Sequence, residues 1–340
     1  MKKPYIAVII VNFNGQKFLK NCLDSVFKQN FYNYEVFVID NGSSDSSKTF
    51  IKKNYPLVKL IVLDRNHGFT GGNNIGIKLA LENSDIKFIV CLNNDTIVDR
   101  FWLQGLVNAV KENKNTGIVN SKVFLLNTKL HVIGLSLERG LQSYDEGGIS
   151  IGYNMNSNEF NKEKDIFAPH GVSFIIKREV LNDIGFFDED FFAYVEDLDL
   201  GFRAKLAGWK CLYTPQSKLI HLHSMTGGIA SPFKTFYLER NTILTAIKNL
   251  PLKLLFLFFI NNMTVKFSSL NKKSRPIHSL TNKIGIFRTI VLLFKIYSSV
   301  LYLLPKFLIK RHKIQKHKVI NDNEIKKWFI KYNRKNMELL

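Results

Sequence analysis

The stretch Phe88-Ile89-Val90-Cys91-Leu92-Asn93-Asn94-Asp95 decides the fold of this chain of 340 residues. Five apolar residues end abruptly in two amides and a carboxylate, which is the pattern of a buried strand that delivers polar groups to a sheet edge. In open α/β sheets, ligands bind outside the carboxyl ends of parallel strands. Asp95 therefore stands where an active site is expected, and its carboxylate suits a hard divalent cation that in turn holds a diphosphate.

Similar apolar runs precede this stretch. Residues Tyr5–Val11, Tyr34–Ile39 and Val58–Leu63 are short and close in polar or glycine-bearing segments, as buried strands do. Helical spacing of apolar residues predicts helices between and after them, over 18–27, 71–82 and 101–111. The alternation of strands and helices predicts an α/β fold with a mostly parallel, Rossmann-like central sheet flanked by helices.

The pattern weakens and then returns further along the chain. Residues 127–167 are rich in Gly, Ser and Asn and show little periodicity, which predicts loops and short strands over the site. Beyond them, 172–176 and 209–213 predict strands, and 196–207 predicts a helix. We therefore place the end of the α/β domain near residue 228.

The charge of the chain is strongly positive, at +20. A surface of this sign attracts nucleic acid, anionic lipid or a phosphorylated substrate. Nucleic acid is disfavoured because the sequence has no zinc-finger spacing and no aromatic RNP pattern. Three scattered cysteines in apolar surroundings, Cys22, Cys91 and Cys211, predict buried thiols in a reducing compartment.

Both chain termini bear on membrane association. The apolar run after Met1 leads directly into Asn12-Phe13-Asn14-Gly15 without a cleavage site, which favours a core strand over a signal peptide. Residues 250–260 and 284–304 are apolar, but each is interrupted by basic residues and falls short of an uninterrupted spanning segment. Residues 306–336 carry eleven Lys or Arg against two acids. Interfacial helices on an anionic membrane are therefore favoured over true spans, the alternative for the tail being a solvated segment.

Polar residues follow the first two predicted strands. Asn12 and Asn14 follow the first, and Asp40 ends the second, where a carboxylate can accept hydrogen bonds from a ribose or a base. Ser43, Ser44 or Asp45 would cap the next helix. The glycine-rich turn from Asn66 to Gly76 lacks the pattern of a P-loop or a dinucleotide fingerprint, which argues against an ATPase and a dehydrogenase.

The order of these motifs resembles the family 2 inverting glycosyltransferases of the GT-A fold, in particular their rhamnosyltransferase-like branch. The resemblance covers about the first 250 residues. Its motifs are Val8–Gly15, Val38–Ser46, Asn66–Gly76, Leu92–Thr96, His170–Phe174, Gly185–Glu189, Tyr194–Arg203 and His221–Gly228.

The resemblance implies a divalent metal, Mn²⁺ or Mg²⁺, as cofactor. The family motif after the fourth strand is usually Asp-x-Asp, and its reduced form here leaves Asp95 as the one carboxylate ligand. A histidine near the end of the domain commonly completes the site, and His221 and His223 occupy that place. Residues two apart on a strand share a face, so either imidazole, His221 first, fits the role. An isolated histidine is, however, more often structural.

The resemblance also implies the catalytic residues. Acids that open a helix, as Glu196 and Asp197 do, are stabilised by the helix dipole whatever their function. In the family, this pair supplies the base, so that Asp197 would deprotonate the acceptor hydroxyl while Glu196 contacts the acceptor or orients the base. Inversion requires such a base on one face of the sugar and charge neutralisation on the other. A nucleophilic second carboxylate is not needed.

The remaining residues of the expected site would bind the nucleotide sugar. Arg240, in a Tyr-x-x-Arg-Asn pattern, either contacts phosphate or fastens its helix. The full set of expected nucleotide-sugar-binding residues is Asn12, Asn14, Asp40, Asn66, Gly72, Asn73, Asn94 and Arg240.

These expectations combine into one hypothesis. A GT-A catalytic domain over 1–228 and a helical, basic, membrane-associated region over 229–340 would transfer a sugar from a UDP- or dTDP-sugar, with rhamnose one candidate. The acceptor would be a hydroxyl of a glycan or polyprenyl-linked molecule in cell-surface polysaccharide synthesis, at the inner face of the cell membrane. The alternative is a catalytically silent scaffold that binds a nucleotide sugar at the membrane, and the presence of both Asp95 and Asp197 counts against it.

Overall fold

The computed structural model describes residues 5–112, 114–125, 131–132, 161–222, 231–269, 281 and 283–331. These fall into two compact units that divide after residue 223. The first unit is α/β, and the described part of the second is helical. The assignment of separate tasks to the two regions remains a prediction.

One mixed sheet organises the first unit, and its ten described strands are accompanied by helices. The strands are β1 Ile6–Asn12, β2 Tyr34–Asp40, β3 Lys59–Val62, β4 Phe88–Asn93, β5 Thr96–Val98, β6 Thr116–Leu125, β7 His131–Val132, β8 Lys164–Ile166, β9 Ser173–Lys177 and β10 Lys210–His221. The helices are α1 Gln16–Phe27, α2 Ser47–Asn54, α3 Gly68–Leu81, α4 Trp102–Glu112, α5 Arg178–Ile184 and α6 Glu196–Leu206, with a 3₁₀ turn at Glu189–Phe191.

The sheet runs in the order β3-β2-β1-β4-β9-β6-β10-β5. Its first four strands pair in parallel, as the alternation of strands and helices predicts. Beyond β4 the sheet becomes mixed, because β9 lies antiparallel to both β4 and β6, and β5 lies antiparallel to β10. The parallel half brings the carboxyl ends of β1, β2 and β4 to one edge.

Helices cover both faces of the central strands, which explains why β1 is buried from Ile6 to Ile10. On one face, α1 and α4 form a common core with alternate residues of β1 and β4. On the other, α3 packs on β1 and β2. A strand covered on both faces must be apolar at every position, which is the pattern of the sequence there.

Several elements depart from the sequence expectation. Helix α3 begins at Gly68 rather than at residue 71, and α2 and β6 had no predicted counterpart. Strand β10 continues to His221, well past the predicted end at residue 213. Pro215 and a shift of register between Thr214 and Lys218 interrupt its alternation, so the sequence pattern stops before the strand does.

The described part of the second unit is built from four helices. They are α7 Pro232–Asn249, α8 Leu252–Ser269, α9 Ile286–His317 and α10 Asp322–Lys331. Helices α7 and α9 pack together, and Leu244, Ile296 and Phe307 are buried. Arg311 of α9 donates from Nη1 to the carbonyl oxygens of Ile247 and Leu250, both at 2.6 Å, which satisfies the carboxyl end of α7.

Helix α9 extends well beyond the predicted apolar run of residues 284–304. It continues without a break through 32 residues, including Pro305, and its length and composition suffice to cross a membrane. The basic residues that interrupt the apolar run do not end the helix, because Lys and Arg have good helix propensity. Among the described residues, α9 alone meets this criterion.

Candidate active site

The carboxyl ends of β1, β2 and β4 bring three predicted residues together. The Asn12 side chain donates from Nδ2 to Asp40 Oδ2 at 3.2 Å and accepts at Oδ1 from Asn94 Nδ2 at 2.8 Å. Both Asn12 and Asp40 are completely buried. The three side chains therefore form one hydrogen-bonded row along the edge of the sheet.

Asp40 is engaged on both oxygens within the protein. Its Oδ1 accepts from the backbone N–H of Ser43 at 3.0 Å, in addition to the contact of Oδ2 with Asn12. Because Asp40 is buried and both of its oxygens are engaged, its carboxylate orders the loop that follows β2. The expected contact of Asp40 with a ribose or a base remains a prediction.

Asn14 joins the loop after β1 to the loop after β2. It has a positive φ of 51°, a conformation that asparagine tolerates better than most residues. Its Oδ1 accepts from the backbone N–H of Ser44 at 2.8 Å, and its own N–H donates to Ser43 Oγ at 2.9 Å. Asp45 accepts from the N–H of Ser47, the first residue of α2, which is the capping contact expected of this segment.

Asn66 organises the turn before α3. Its Oδ1 accepts from the N–H of Gly68 at 2.8 Å and from Asn41 Nδ2 at 3.0 Å. Asn41 also donates to the carbonyl of Gly68 and accepts from the N–H of His67, so its amide connects the end of β2 to this turn. Asn41 is a positioning residue that the sequence reasoning missed, although it directly follows Asp40.

Gly72 and Asn73 lie inside α3. A Cβ at Gly72 would approach Val11 Cγ1 to 2.7 Å, so the absence of a side chain allows α3 to pack closely on β1. Asn73 is buried, and its Nδ2 donates to the carbonyl of Phe69 one turn earlier, at 2.9 Å. Helix packing accounts for both residues, and their expected contact with a nucleotide sugar remains a prediction.

Asp95 and His221 meet although 126 residues separate them. Strand β5 pairs with β10 so that His221 lies opposite Thr96, and His221 Nε2 lies 3.1 Å from Asp95 Oδ1. Asp95 is 6% exposed and His221 is 7% exposed. The pairing results from the length of β10. His223 lies outside the described residues.

The pair formed by Asp95 and His221 fits a divalent cation that shares its coordination with a substrate. Carboxylate oxygen and imidazole nitrogen both ligate Mn²⁺, and Mg²⁺ or Mn²⁺ commonly takes few protein ligands together with phosphate and water. Within the described residues, no cluster of three or more His, Cys, Asp or Glu stands ready to hold a metal. Cys22 lies close by, but burial raises the pKa of its thiol to about 12, so it remains neutral and is a poor ligand.

Asp197 is held at the start of α6. Its Oδ2 accepts from the N–H of Gly171 at 2.8 Å, and its Oδ1 accepts from the N–H of Leu198 at the same distance. Its side chain is partly exposed, whereas the preceding Glu196 is buried. Asp197 is therefore an oriented carboxylate with access to solvent, which is what a general base requires.

A short backbone path joins Asp197 to the region of Asp95. Gly171, which donates to Asp197, is followed by Val172, whose carbonyl accepts from the N–H of Asn93 at 2.9 Å. Asp95 is two residues further along. The two acids therefore lie at the same edge of the sheet. Gly171 lies in the motif His170–Phe174, but no sequence pattern predicted its contact with Asp197.

Arg240 belongs to the second unit, within α7. Its Nε donates to Asn241 Oδ1 at 2.9 Å, and its guanidinium lies 4.7 Å from the ring centre of Tyr237 and 5.3 Å from that of Phe236. All three partners belong to α7 itself, so these contacts orient the guanidinium on its own helix, and the expectation that Arg240 fastens the helix stays a prediction. Its expected contact with phosphate remains a prediction.

Comparisons with known proteins find a matching family. Residues 7–185 match the family described as "Glycosyl transferase family 2". The "Low-salt glycan biosynthesis hexosyltransferase Agl10" of Haloferax volcanii is 26% identical over 59% of this chain and 61% of its own length. The "Poly-beta-1,6-N-acetyl-D-glucosamine synthase" of Staphylococcus epidermidis is 25% identical over 62% of this chain and 48% of its own length. The chain thus spans less than two thirds of these relatives.

The fold also matches a solved structure. The mannosyltransferase PcManGT from Pyrobaculum calidifontis, solved in complex with GDP-Man and Mn²⁺, aligns with a TM-score of 0.55 at 16% identity. The alignment covers 92% of this chain and 86% of that protein. At this identity the likeness establishes a common fold.

Proposed function

The chain belongs to glycosyltransferase family 2, and from this premise we propose that it is an inverting glycosyltransferase of cell-surface glycan synthesis. It would move a sugar from a nucleotide diphosphate to a hydroxyl of a glycan or a polyprenyl-linked acceptor. The observation that carries the proposal is the placement of Asp197 and the pair of Asp95 and His221 at one edge of the sheet, connected through Gly171 and Val172.

Asp197 acts as the base in this proposal. As the acceptor oxygen bonds to the anomeric carbon, the bond between that carbon and the diphosphate oxygen breaks, and the hydroxyl proton passes to Asp197. The N–H groups of Gly171 and Leu198 hold the carboxylate in one orientation during this step. Glu196, buried beside it, orients the base or contacts the acceptor. Attack opposite to the leaving group inverts the configuration.

Asp95 and His221 would assist the departure of the nucleotide diphosphate. We assign them as the protein ligands of a divalent cation, Mn²⁺ or Mg²⁺, with His223 as the further candidate. When bound, the cation supplies positive charge to the departing diphosphate. The close approach of Asp95 Oδ1 and His221 Nε2 brings one oxygen and one nitrogen ligand to a common point.

The nucleotide sugar lies along the edge formed by Asn12, Asp40 and Asn94 in this proposal. The loops pinned by Asn14 and the turn at Asn66 border this edge. Gly72, Asn73 and Arg240 complete the proposed binding set. UDP and dTDP are the proposed carriers, and rhamnose is one candidate sugar. The relatives named for glycan and polysaccharide synthesis support the substrate class.

The second unit would hold the enzyme at the inner face of the cell membrane. Helices α8 and α9 expose large apolar side chains, and the chain from residue 306 onward is rich in lysine. Apolar surface together with positive charge binds anionic membranes. The association proposed is peripheral.

The decisive experiment follows release of nucleotide diphosphate across a panel of UDP-, dTDP- and GDP-sugars with Mn²⁺. Turnover of one donor is expected, whereas a silent scaffold would bind that donor without releasing diphosphate. Asp197→Asn should lower kcat at least about a hundredfold, because a general base contributes about 10²–10⁴. Donor affinity should be retained. Glu112→Gln, a neutralised exposed carboxylate on α4, is the control. Unchanged turnover in Asp197→Asn would remove that residue from the mechanism.

A further inference from the structure

The second unit contains a cleft with a volume of about 680 Å³. Its walls come from the starts of α8 and α10 and from one face of α9. The polar side chains that line it are mainly Lys253, Arg311, His312, Gln315, Asn323 and Lys326. None of these residues belongs to the proposed site of glycosyl transfer.

The lining of the cleft has an excess of positive charge. Lys253, Arg311 and Lys326 contribute permanent cations. Asp322 is the only carboxylate among the lining residues, and it forms an ion pair with Lys318, which lies outside the lining. The cleft is therefore suited to an anion.

Some of the polar groups are fixed in place by the end of α7. The two hydrogen bonds from Arg311 to the carbonyls of Ile247 and Leu250 hold its guanidinium. One turn further along α9, Gln315 Nε2 donates to the carbonyl of Asn249 at 2.9 Å. A cation that is held before a ligand arrives loses little side-chain entropy on binding, which favours a defined site over diffuse attraction.

One helix N-terminus, that of α8, contributes positive potential to the cleft, which its first turn lines at Leu252–Leu254. The start of α10 also lines the cleft, but Asn321 Oδ1 caps it and its first turn carries Asp322 and Glu324. N–H groups in a first helical turn have no carbonyl partner within the helix, and the helix dipole adds positive potential there. Phosphate is the anion that such ends commonly bind.

The rim of the cleft is apolar. Leu252 is 73% exposed and Leu308 is 50% exposed, and both line the cleft beside its cations. Exposed apolar residues continue away from it along α8 at Phe256 and along α9 at Leu301. We propose that the cleft binds the phosphate group of a membrane lipid, whose acyl chains lie against these apolar side chains. A free phosphate ion would make no use of the rim.

This inference names a lipid group for the membrane association proposed above and rests on that association, but it does not rest on glycosyl transfer. The test compares the whole chain with two double variants that each remove two positive charges. Lys253→Gln with Lys326→Gln alters the cleft. Lys313→Gln with Lys316→Gln alters exposed residues of α9 outside the lining and is the control.

Two lipid probes are titrated, by calorimetry and by vesicle sedimentation, and inorganic phosphate is titrated by calorimetry beside them. The first is dihexanoylphosphatidylglycerol below its micellar concentration, and the second is vesicles of phosphatidylcholine with about 20 mol% phosphatidylglycerol, which present an anionic surface. The cleft variant should bind the soluble lipid about 25-fold more weakly, since each of its two lysines near an anionic lipid contributes roughly 1 kcal/mol, which is a factor of about five. The control should bind it like the wild type.

The other possible results distinguish lipid binding in the cleft from its alternatives. Equal losses of lipid affinity in the cleft variant and the control variant would mean that the lipid is attracted diffusely by positive charge. That result would overturn binding in the cleft. Binding of inorganic phosphate as tight as that of the soluble lipid would assign the site to a free ion and would also overturn it. If the soluble lipid binds in the cleft but no vesicle binds, the cleft stands and the membrane association fails. Transfer of sugar to a soluble acceptor should be the same in all variants.

Discussion

Gly68 is the residue on which the position of the proposed base depends. It has a φ of +73°, and a Cβ there would lie 2.3 Å from the carbonyl oxygen of Phe192. That carbonyl accepts from the N–H of Thr70 at 3.2 Å. Phe192, Tyr194 and Val195 all have positive φ, a strained conformation that must be imposed by neighbours. The start of α3 thus holds the segment that leads into Glu196 and Asp197.

Gly68→Ala should therefore impair both stability and turnover. The positive φ costs about 1 kcal/mol, and displacement of the Phe192 carbonyl adds a further loss of roughly 1–2 kcal/mol. We expect kcat to fall, because displacement of the Phe192 carbonyl moves the segment that carries the proposed base. Urea unfolding and steady-state kinetics measure the two effects.

Gly185→Ala is the matched control for this substitution. Its φ is +76°, and no atom lies within 4 Å of a Cβ placed there. With a ψ of −173°, its backbone lies in a region that glycine alone adopts readily, so the variant should show the cost of the backbone conformation alone, roughly 1–3 kcal/mol, with normal kcat. Equal losses of stability and activity in the two variants would contradict the role of Gly68.

At the scale of single residues, the sequence predicted which side chains end neighbouring strands better than it predicted the contacts they make. Asn12, Asp40 and Asn94 meet because parallel strands end at one edge, a rule that applies without coordinates. The roles of Asn41 and Gly171 depend on loop conformations, which a single sequence does not specify. The buried state of Asp40 follows from those loops as well.

Among the elements, α4 ties together the mixed half of the sheet. Trp102, completely buried at the start of α4, donates from Nε1 to Ser173 Oγ of β9 at 2.9 Å and to Ser121 Oγ of β6 at 3.2 Å. Ser121 in turn contacts Ser217 of β10 at 2.8 Å. A buried hydroxyl cluster therefore fixes α4 over three strands that come from distant parts of the chain.

Trp102→Phe should destabilise the protein by about 1–3 kcal/mol, because buried hydroxyls lose a donor. Trp209→Phe is the control, since Trp209 Nε1 donates to Asp183 at the surface and its loss should cost well under about 1 kcal/mol. Urea unfolding gives both values. A smaller loss for Trp102→Phe than for the control would show that the cluster does not hold α4.

The bounds of helices and strands were predicted well where a single helical or strand periodicity of apolar residues dominates the sequence. Strands β1 to β4 and helices α1, α3 and α4 were each located to within a few residues, because their apolar positions repeat without interruption. The predicted strand β10 ended before its bulge, and the antiparallel partners of the observed strand, β5 and β8, come from distant parts of the chain. The contact between His221 and Asp95 therefore required the resemblance to known enzymes rather than a local pattern.

Across the whole molecule, charge is distributed unevenly. Residues 224–340 carry 22 Lys or Arg against four acids, which is +18 of the net +20. The first 223 residues are close to neutral. The positive net charge of the chain thus comes from its C-terminal region, where it supports a membrane partner. It says little about the proposed site of sugar transfer.

Salt should release the protein from anionic vesicles if the association is peripheral. The Debye length falls from about 10 Å at 0.1 M to about 3 Å at 1 M, so attraction between exposed lysines and lipid is largely screened. We expect most of the bound protein in the supernatant at about 0.5 M NaCl and the rest after washing with alkaline carbonate. Retention in the pellet after both treatments would instead mean that α9 crosses the bilayer.

Pro305 divides α9 where its composition changes. Proline has no N–H, so the carbonyl of Leu301 loses its helical donor, and the pyrrolidine ring crowds that turn. The part of the helix before Pro305, residues 286–304, is mainly apolar, and the part after it, residues 306–317, is basic. A proline inside a continuous helix favours a bend at that turn, and such a bend would let the apolar part sink among acyl chains while the basic part rests on the headgroups.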